Sequence, residues 1–488
     1  MQNASRFDLA AAARDEMIHE GFSPDFAPGT TEQLASIRNR AAASPTDGAR
    51  DLRNLLWSSI DNDSSRDLDQ IEVAERGENG IRVLIGIADV DSAVLAQSSI
   101  DQHAASQTTT VYTPVKTFPM LPEELSTDLT SLNENEDRAA LIIEFLVSRD
   151  GSIAAPTIYP ALVRNKAQLT YSRVGPWLEG KAAPDPKVAA STELQAQLKL
   201  QDEAAGLLRE QRHRLGALQF DRVEAQNVVA NGQVQDVVAS QRTRANDLIE
   251  DFMIAANSVM AQTLINSGVS SIQRVVKAPE RWPRLVELAA RYSEKLPDQP
   301  DVLALSAFLQ RRKAADEAHY PDLSLAVIKL LGPGQYVLSR PGETDQGHFS
   351  LAVHDYTHST APNRRFADVV TQRLIKAVLS KQAVPYSDDA LAAIAQNCTL
   401  KEDAARKVER AMNKRAAAVA FSNRVGDSFN AIVTGVTPKG VFVRVPAPPL
   451  EGRLMRGETG VDVGDHVRVK LLSTDPQRGF IDFGVVAP

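Results

Sequence analysis

Apolar and polar positions follow several different rhythms along this chain, and each rhythm predicts its own kind of element. From Leu55 to about Val174 the apolar residues come in β-branched runs, "IRVLIGIADVDSAV" (81–94) and "AALIIEFLVS" (139–148), bounded by turn residues. Such runs predict buried strands. A loop follows at 179–191, then a polar helix over roughly 191–214. Residues 218–240, "LQFDRVEAQNVVANGQVQDVVAS", read as paired strands with Asn231-Gly232 as the hairpin turn. Over 244–266 the period becomes helical: Leu248, Phe252 and Met253 share one stripe and Ile249 widens it. In "APNRRFADVVTQRLIKAVL", Phe366, Val369, Val370 and Leu374 share one helical face, and Pro362 suits a first helical turn. Helices and loops should continue to about 424. Residues 425–488 then return to short alternating strands, the first two around Pro438-Lys439-Gly440. Five such strands predict an OB-fold barrel, an architecture that often binds oligonucleotides.

At the other end, residues 6–43 are Ala-rich with helical spacing, interrupted at Gly21–Pro24 and Pro28-Gly29. Two or three helices are predicted, as a helix-turn-helix or simply as short packed helices. Residues 42–51 read as a linker. The expected fold class is therefore α+β in three parts: a small helical domain at 1–48, a mixed α/β domain at 49–424, and an all-β OB barrel at 425–488.

Composition narrows the function. The chain has 488 residues with 43% hydrophobic and 24% charged, enough to bury a sizeable core in about two to four domains. Cys398 is the sole cysteine, which excludes an internal disulfide and a cysteine-based zinc site and fits a reducing, cytoplasmic setting. The eight histidines are scattered along the chain, so an imidazole-bound metal is not expected. No basic start leads into an apolar core, and no run of about 18 apolar residues is evident, so neither a signal peptide nor a membrane span is expected. A net charge of −8 argues against a polyanion binder that works by overall charge, while leaving room for a local basic channel.

Residues 60–73, "IDNDSSRDLDQIEV", then stand out. Asp61, Asp67 and Asp69 crowd the approach to an apolar strand, with Asp63 among them. The Asn62–Ser65 run offers turn chemistry that can fold Asp61 back toward the others. Asp67 and Asp69 lie two apart, so on an extended strand they face the same side. Hard oxygen donors with no Cys or His nearby suit Mg²⁺ or Mn²⁺. Such ions activate water and clamp a phosphate. A solvated acidic loop is the plain alternative, and a calcium loop is a weaker competitor because its spacing is absent.

Four further segments change that balance. "GIADVD" (86–91), "TTTVYTPVKTFPMLPEELSTDLTSLNENEDRAAL" (108–141), "ANDLIEDFMIAAN" (245–257) and "HFSLAVHDYTHSTAPNRRFADVVTQRL" (348–374) occur in the order and spacing of one family. Together they make residues 50–420 resemble the RNB-type catalytic domain of the ribonuclease II family. The C-terminal segment resembles the RNA-binding OB domain of the ribosomal-protein S-one type.

The resemblance implies a Mg²⁺-dependent hydrolytic 3′→5′ exoribonuclease, with Mn²⁺ as a substitute, that releases nucleoside 5′-monophosphates. Its implied partner is the 3′ end of single-stranded RNA, not DNA or a membrane, and it would work as a monomer. The family pattern I-D-x-P-x-x-x-D-x-D-D falls on Asp61, Asp67, Asp69 and Gln70 as metal ligands. Gln70 stands where the family has an aspartate, and Asp63 where it has a proline. Asp63 is a candidate to compensate from the same loop. Asp69, Asp67 and Arg364 are the implied catalytic residues. Asp69 would organise the metals and the attacking water, and Arg364, in a first helical turn, would face the scissile phosphate. Arg365 is implied to be positional, and Asp89 and Asp368 structural. Tyr112 and Phe220 match the aromatic rings either side of the terminal base, and Glu250 the carboxylate that accepts from a ribose hydroxyl, with Asp251 as its alternative. Only about 50 residues precede the resemblance. The expectation is a short form without the two cold-shock-type barrels usual ahead of this domain, and with a more open RNA entrance. A catalytically inactive RNA binder on the same fold, with Gln70 as its lesion, is the second reading. A two-metal phosphodiesterase for small nucleotides is the third, and it leaves the OB barrel without work.

Overall fold

The computed structural model describes residues 7–41, 48–221, 224–230, 233–240, 242–317, 319–343, 347–438 and 440–486. The apolar runs form a mixed seven-stranded sheet, ordered Arg50–Asp51, Ile153–Arg164, Asp137–Val147, Gly80–Ala88, Gln70–Gly77, Ser58–Asp61 and Ala167–Thr170. The outermost pairs are parallel and the inner ones antiparallel. Ile71, Leu84, Ile85, Ile87, Ile142 and Ile143 are fully buried in its core. Each such side chain contributes about 1.5–3 kcal/mol.

The helices Arg244–Asn266 and Phe366–Leu379 join that core through the stripes the spacing predicts: Leu248, Ile249 and Phe252 on one, Phe366, Val369, Val370 and Leu374 on the other. Helix Arg244–Asn266 is long and apolar enough by length and composition to cross a membrane, though it holds no unbroken run of 18 apolar residues; here it is a mostly buried core helix. Helix Thr192–Arg214 covers the strand Gln70–Gly77 where its neighbour stops pairing. Gln197 bonds the Ala74 amide and carbonyl at 2.9 and 2.5 Å, and Gln201 donates to the Glu72 carbonyl at 3.2 Å. An open strand edge is thereby closed by side chains.

A short sheet, Ser271–Val275 with Gln335–Ser339, interrupts the helical stretch expected up to 424. Its residues were hidden among loop-like polar positions. Strands Glu224–Ala230 and Gln233–Ser240 pair as predicted; their Asn231-Gly232 turn lies outside the described residues. The last strands, from Ser428–Thr437 to Phe480–Val485, close into a five-stranded barrel. Its core takes in Val237 of that hairpin and Ala418 and Phe421 from the end of the long helix Asp388–Ala420.

The N-terminal helices Leu9–His19 and Thr30–Ala41 pack onto the rest. Leu9, Ala13, Met17 and Phe22 share a cluster with Val408 and Met412 of the long helix and with Val111 and Phe118 of a small hairpin. Phe26 lies 4.3 Å from the His103 ring, and the Ser23 amide donates to Gln107 at 3.3 Å. The elements leading to Tyr112 are thus held from outside by the first helices.

Candidate active site

The site forms where two neighbouring strands diverge. Asp61 ends the strand Ser58–Asp61 and Gln70 begins its antiparallel neighbour Gln70–Gly77. Between them the chain turns, with the Ser65 amide donating to the Asn62 carbonyl at 3.0 Å. Asp67 and Asp69 belong to this loop and not to a strand, so the expected strand alternation does not apply to them. Buried Leu68 separates half-buried Asp67 from buried Asp69.

Each acid is held differently. Gln70 Nε2 donates to Asp61 Oδ1 at 3.1 Å, while Asp61 Oδ2 is buried without a partner. Burial pushes Asp61 up to about 7, with the Gln70 bond opposing and the Asp67 charge adding. Asp69 Oδ1 accepts from the Asn363 amide at 2.9 Å, and its Oδ2 lies 3.7 Å from Arg364 Nε. Burial lifts Asp69 to about 8, against the pull of Arg364. Asp67 Oδ2 accepts from the Tyr112 hydroxyl at 2.9 Å. Asp63 is exposed and takes its bond from Ser172 at 2.7 Å.

Arg364 and Tyr112 are fixed to each other through backbone. The Arg364 carbonyl accepts from the Thr110 amide at 3.0 Å, and the Phe366 amide donates to Thr108 at 2.8 Å. The Tyr112 amide donates to Glu409 of the long helix at 3.4 Å. Arg364 lies in the turn ahead of helix Phe366–Leu379, which corrects its expected place, and that of Pro362, in a first helical turn. Asp368 ties that turn down by accepting from the Ala361 amide at 2.7 Å and from Arg365 at 2.7 and 2.9 Å. Asp89 caps a short helix at Ser92 and pairs with Lys376 at 2.8 Å.

The structure therefore brings together Asp61, Asp67, Asp69, Gln70, Tyr112 and Arg364. Glu250 pairs with Arg242. Burial raises the half-buried Tyr171 phenol, with the Asp61 charge adding and Arg364 and Arg242 opposing. Asp251 is buried and engaged by Arg209 and Arg212. Phe220 is half-buried against the cluster of Leu218, Trp282, Phe308 and Tyr320.

Three neighbours escaped the sequence reading. Asn363 acts through its backbone amide, which no residue pattern announces. Tyr171 carries no motif. Glu72 was legible in principle, as an acid two positions beyond Gln70 and flanked by Ile71 and Val73. It is fully buried, both its oxygens lack partners, and burial raises it well above the usual carboxylate range.

Among the described residues no three or more His, Cys, Asp or Glu side chains stand grouped as a metal site. The donor set nevertheless fits a divalent cation: hard oxygens only, one of them a buried orphan on Asp61, in a pocket where burial disfavours the charged carboxylates.

Comparison with known proteins gives the following. A family model described as the RNB domain matches residues 49–381, and one described as the RNase II-type exonuclease C-terminal S1 domain matches 427–486. Ribonuclease R of Thermotoga maritima is 29% identical over 477 residues, covering 90% of this chain and 65% of that protein. Ribonuclease R of Escherichia coli (strain K12) is 28% identical over 498 residues, covering 93% and 60%. The chain thus spans 65% or less of the length of these relatives. Mycoplasma genitalium RNase R in complex with ribose-methylated single-stranded RNA superposes with a TM-score of 0.85 at 22% identity, over 98% of this chain and 78% of that one. Yeast Ssd1, a pseudonuclease, superposes with a TM-score of 0.66 at 19% identity, over 88% and 52%.

Proposed function

This chain belongs to the RNB-domain family, and from that premise we propose that it is an exoribonuclease that hydrolyses RNA from the 3′ end and releases nucleoside 5′-monophosphates. The observation that carries the reading is the convergence of buried Asp61 and Asp69 with Asp67, Tyr112 and Arg364 where the strands Ser58–Asp61 and Gln70–Gly77 diverge. Asp61, Asp67, Asp69 and the Gln70 carbonyl would hold Mg²⁺ or Mn²⁺, which when bound supplies an activated water and offsets phosphate charge.

The chain's own residues do the rest. Gln70 turns its Nε2 to Asp61, leaving its Oε1 as the neutral donor. The Asn363 amide fixes Asp69. Arg364, its guanidinium half exposed beside Asp69, can bond two phosphate oxygens and stabilise charge that develops in the transition state. The Tyr112 ring is 42% exposed and offers a flat face to a terminal base. Glu250, freed from Arg242, can accept from a ribose hydroxyl, a contact that separates RNA from DNA. The barrel gives a single strand a second surface beyond the site.

A second reading, an inactive RNA binder, is favoured by Gln70 at a ligand position. The deciding experiment is a time course on 5′-labelled single-stranded RNA with and without Mg²⁺ or Mn²⁺, with single-stranded DNA alongside. Stepwise shortening of RNA only with cation supports the enzyme. Binding without shortening, in either cation, selects the second reading.

A further inference from the structure

This inference rests on the cation site just proposed and concerns an acid that the proposed chemistry does not use. Glu72 follows Gln70 by two positions on one strand, so both side chains leave it on the same face. Glu72 is 0% exposed, and among the described residues neither carboxylate oxygen has a hydrogen-bond partner. Its register partner across the strand pair is Ser58, whose Oγ is also buried and unpartnered. Asp61 Oδ2 and Gln201 Oε1 are orphaned as well, and Gln201 is the side chain that bonds the Glu72 carbonyl.

Folded proteins leave few buried polar atoms unsatisfied, and each one calls for an explanation such as a water or an ion. A carboxylate is among the costliest groups to leave so. Ala74, the next residue on the same face, is apolar and buried and offers the acid no partner. Gln70, which shares a strand face with Glu72, bonds Asp61 at 3.1 Å, and Asp61 closes the strand that carries Ser58. Gln70, meanwhile, brings no charge to the position where the family pattern carries an aspartate.

We infer that Glu72 supplies the fourth negative charge of the divalent-cation site, in place of the charge that Gln70 lacks. It need not touch the ion. In an interior of low dielectric and little screening, a charge two strand positions from Gln70 still acts strongly on a cation held beside it. Glu72 is thus a positioning and charge-balancing residue. The cost of burying it is offset when an oxygen-preferring divalent ion is bound.

The test is Mn²⁺ binding to the full chain without RNA, read as the free-ion electron paramagnetic resonance signal during titration. Wild type, Glu72→Gln, Gln70→Asp and the double variant Q70D/E72Q are compared. The expected result is that E72Q weakens Mn²⁺ binding about tenfold or more, the usual cost of losing a group behind a ligand. Q70D/E72Q should return to near the wild-type affinity. An E72Q affinity within about twofold of wild type overturns the inference, since it falls below that usual cost. Should E72Q not fold, Q70D against Q70D/E72Q makes the same comparison, and equal affinities overturn it. If the wild type itself binds no Mn²⁺, the cation site falls and this inference with it. If the wild type binds and E72Q matches it, this inference alone falls.

Discussion

The Tyr112 hydroxyl donates to Asp67 Oδ2 at 2.9 Å, joining the ring proposed to stack on a terminal base to one of the acids proposed to hold a cation. The same hairpin is bonded through Thr110 to the Arg364 carbonyl at 3.0 Å. Base platform, carboxylate and guanidinium are therefore linked by short hydrogen bonds between segments far apart in sequence. A shift of the Tyr112 strand moves all three, which is why its packing matters to chemistry.

Tyr112→Phe and Tyr112→Ala separate the two roles of this residue. The Phe variant keeps the ring and loses the bond, so RNA affinity should change by less than about 1 kcal/mol, the net worth of one hydrogen bond. The Ala variant loses the stacked face and should lose about 1–3 kcal/mol. Fluorescence anisotropy of a short 5′-labelled RNA in EDTA measures both. Equal losses in the two variants would remove the stacking role.

Asp69→Asn should abolish RNA shortening while leaving RNA binding near the parental level. The substitution keeps the size of the side chain and its acceptor for the Asn363 amide, and removes only charge. A decrease in turnover of at least about 100-fold is expected from losing a charged group that holds the ion and its water. Turnover near the parent's rate would refute the assignment of Asp69.

In EDTA, the stability of the protein should fall as pH rises from about 4 to about 8. Burial holds Asp61 up to about 7 and Asp69 up to about 8 in the folded chain. In the unfolded chain both titrate near about 4. Between those values the folded state binds more protons than the unfolded state, so raising pH favours unfolding. Acids in native ion pairs give the opposite slope, so the comparison to make is wild type against D69N. The variant should show a shallower decline in urea midpoint. A wild-type curve that climbs throughout this window, with D69N parallel to it, would contradict the burial argument.

Met17→Ala probes the N-terminal helices. Met17 is 2% exposed, in the cluster that also holds Val111 and Phe118 of the Tyr112 hairpin. Truncation should cost about 2–4 kcal/mol by transfer and cavity terms. Urea unfolding followed by tryptophan fluorescence reads the loss. A loss under about 0.5 kcal/mol, the level of an ordinary surface change, would show that these helices do not brace the hairpin.

Much of this arrangement was legible in the sequence because apolar period is a strong signal. The runs at 81–94 and 139–148, the 244–266 stripe and the five terminal strands all became the elements their spacing predicts. What escaped was set by tertiary context. Residues 67–69 look like the start of a strand, yet pairing begins only at Gln70, because Asp69 is drawn to the Asn363 amide. Pro362 looks like a helix start, yet the helix waits until Phe366, because Asp368 folds back on the Ala361 amide. Glu72 sits in a run whose neighbours are so apolar that the single acid reads as noise. Family resemblance named the site residues; their partners, Tyr112 to Asp67 and Asn363 to Asp69, came only with the fold.

The adjacent arginines give the sharpest contrast between chemistry and structure. Arg364 is half exposed beside Asp69, and Arg365 is turned inward onto Asp368, which is 0% exposed. Arg364→Ala removes a guanidinium from where phosphate charge would develop. It should cost about 10²–10³ in kcat, as the loss of one preorganised donor does elsewhere. Arg364→Lys keeps the charge but not the planar fork, and should recover only part of that rate. Neither change should move the urea midpoint, since the carbonyl contact to Thr110 is made by backbone. Arg365→Ala breaks a buried pair and leaves Asp368 uncompensated, so it should cost about 3–5 kcal/mol of stability. Rate per folded molecule and unfolding midpoint, measured on all three variants, separate the two functions. If R364A lowered stability and kept its rate, or R365A lowered rate alone, the roles given to the two residues would have to be exchanged.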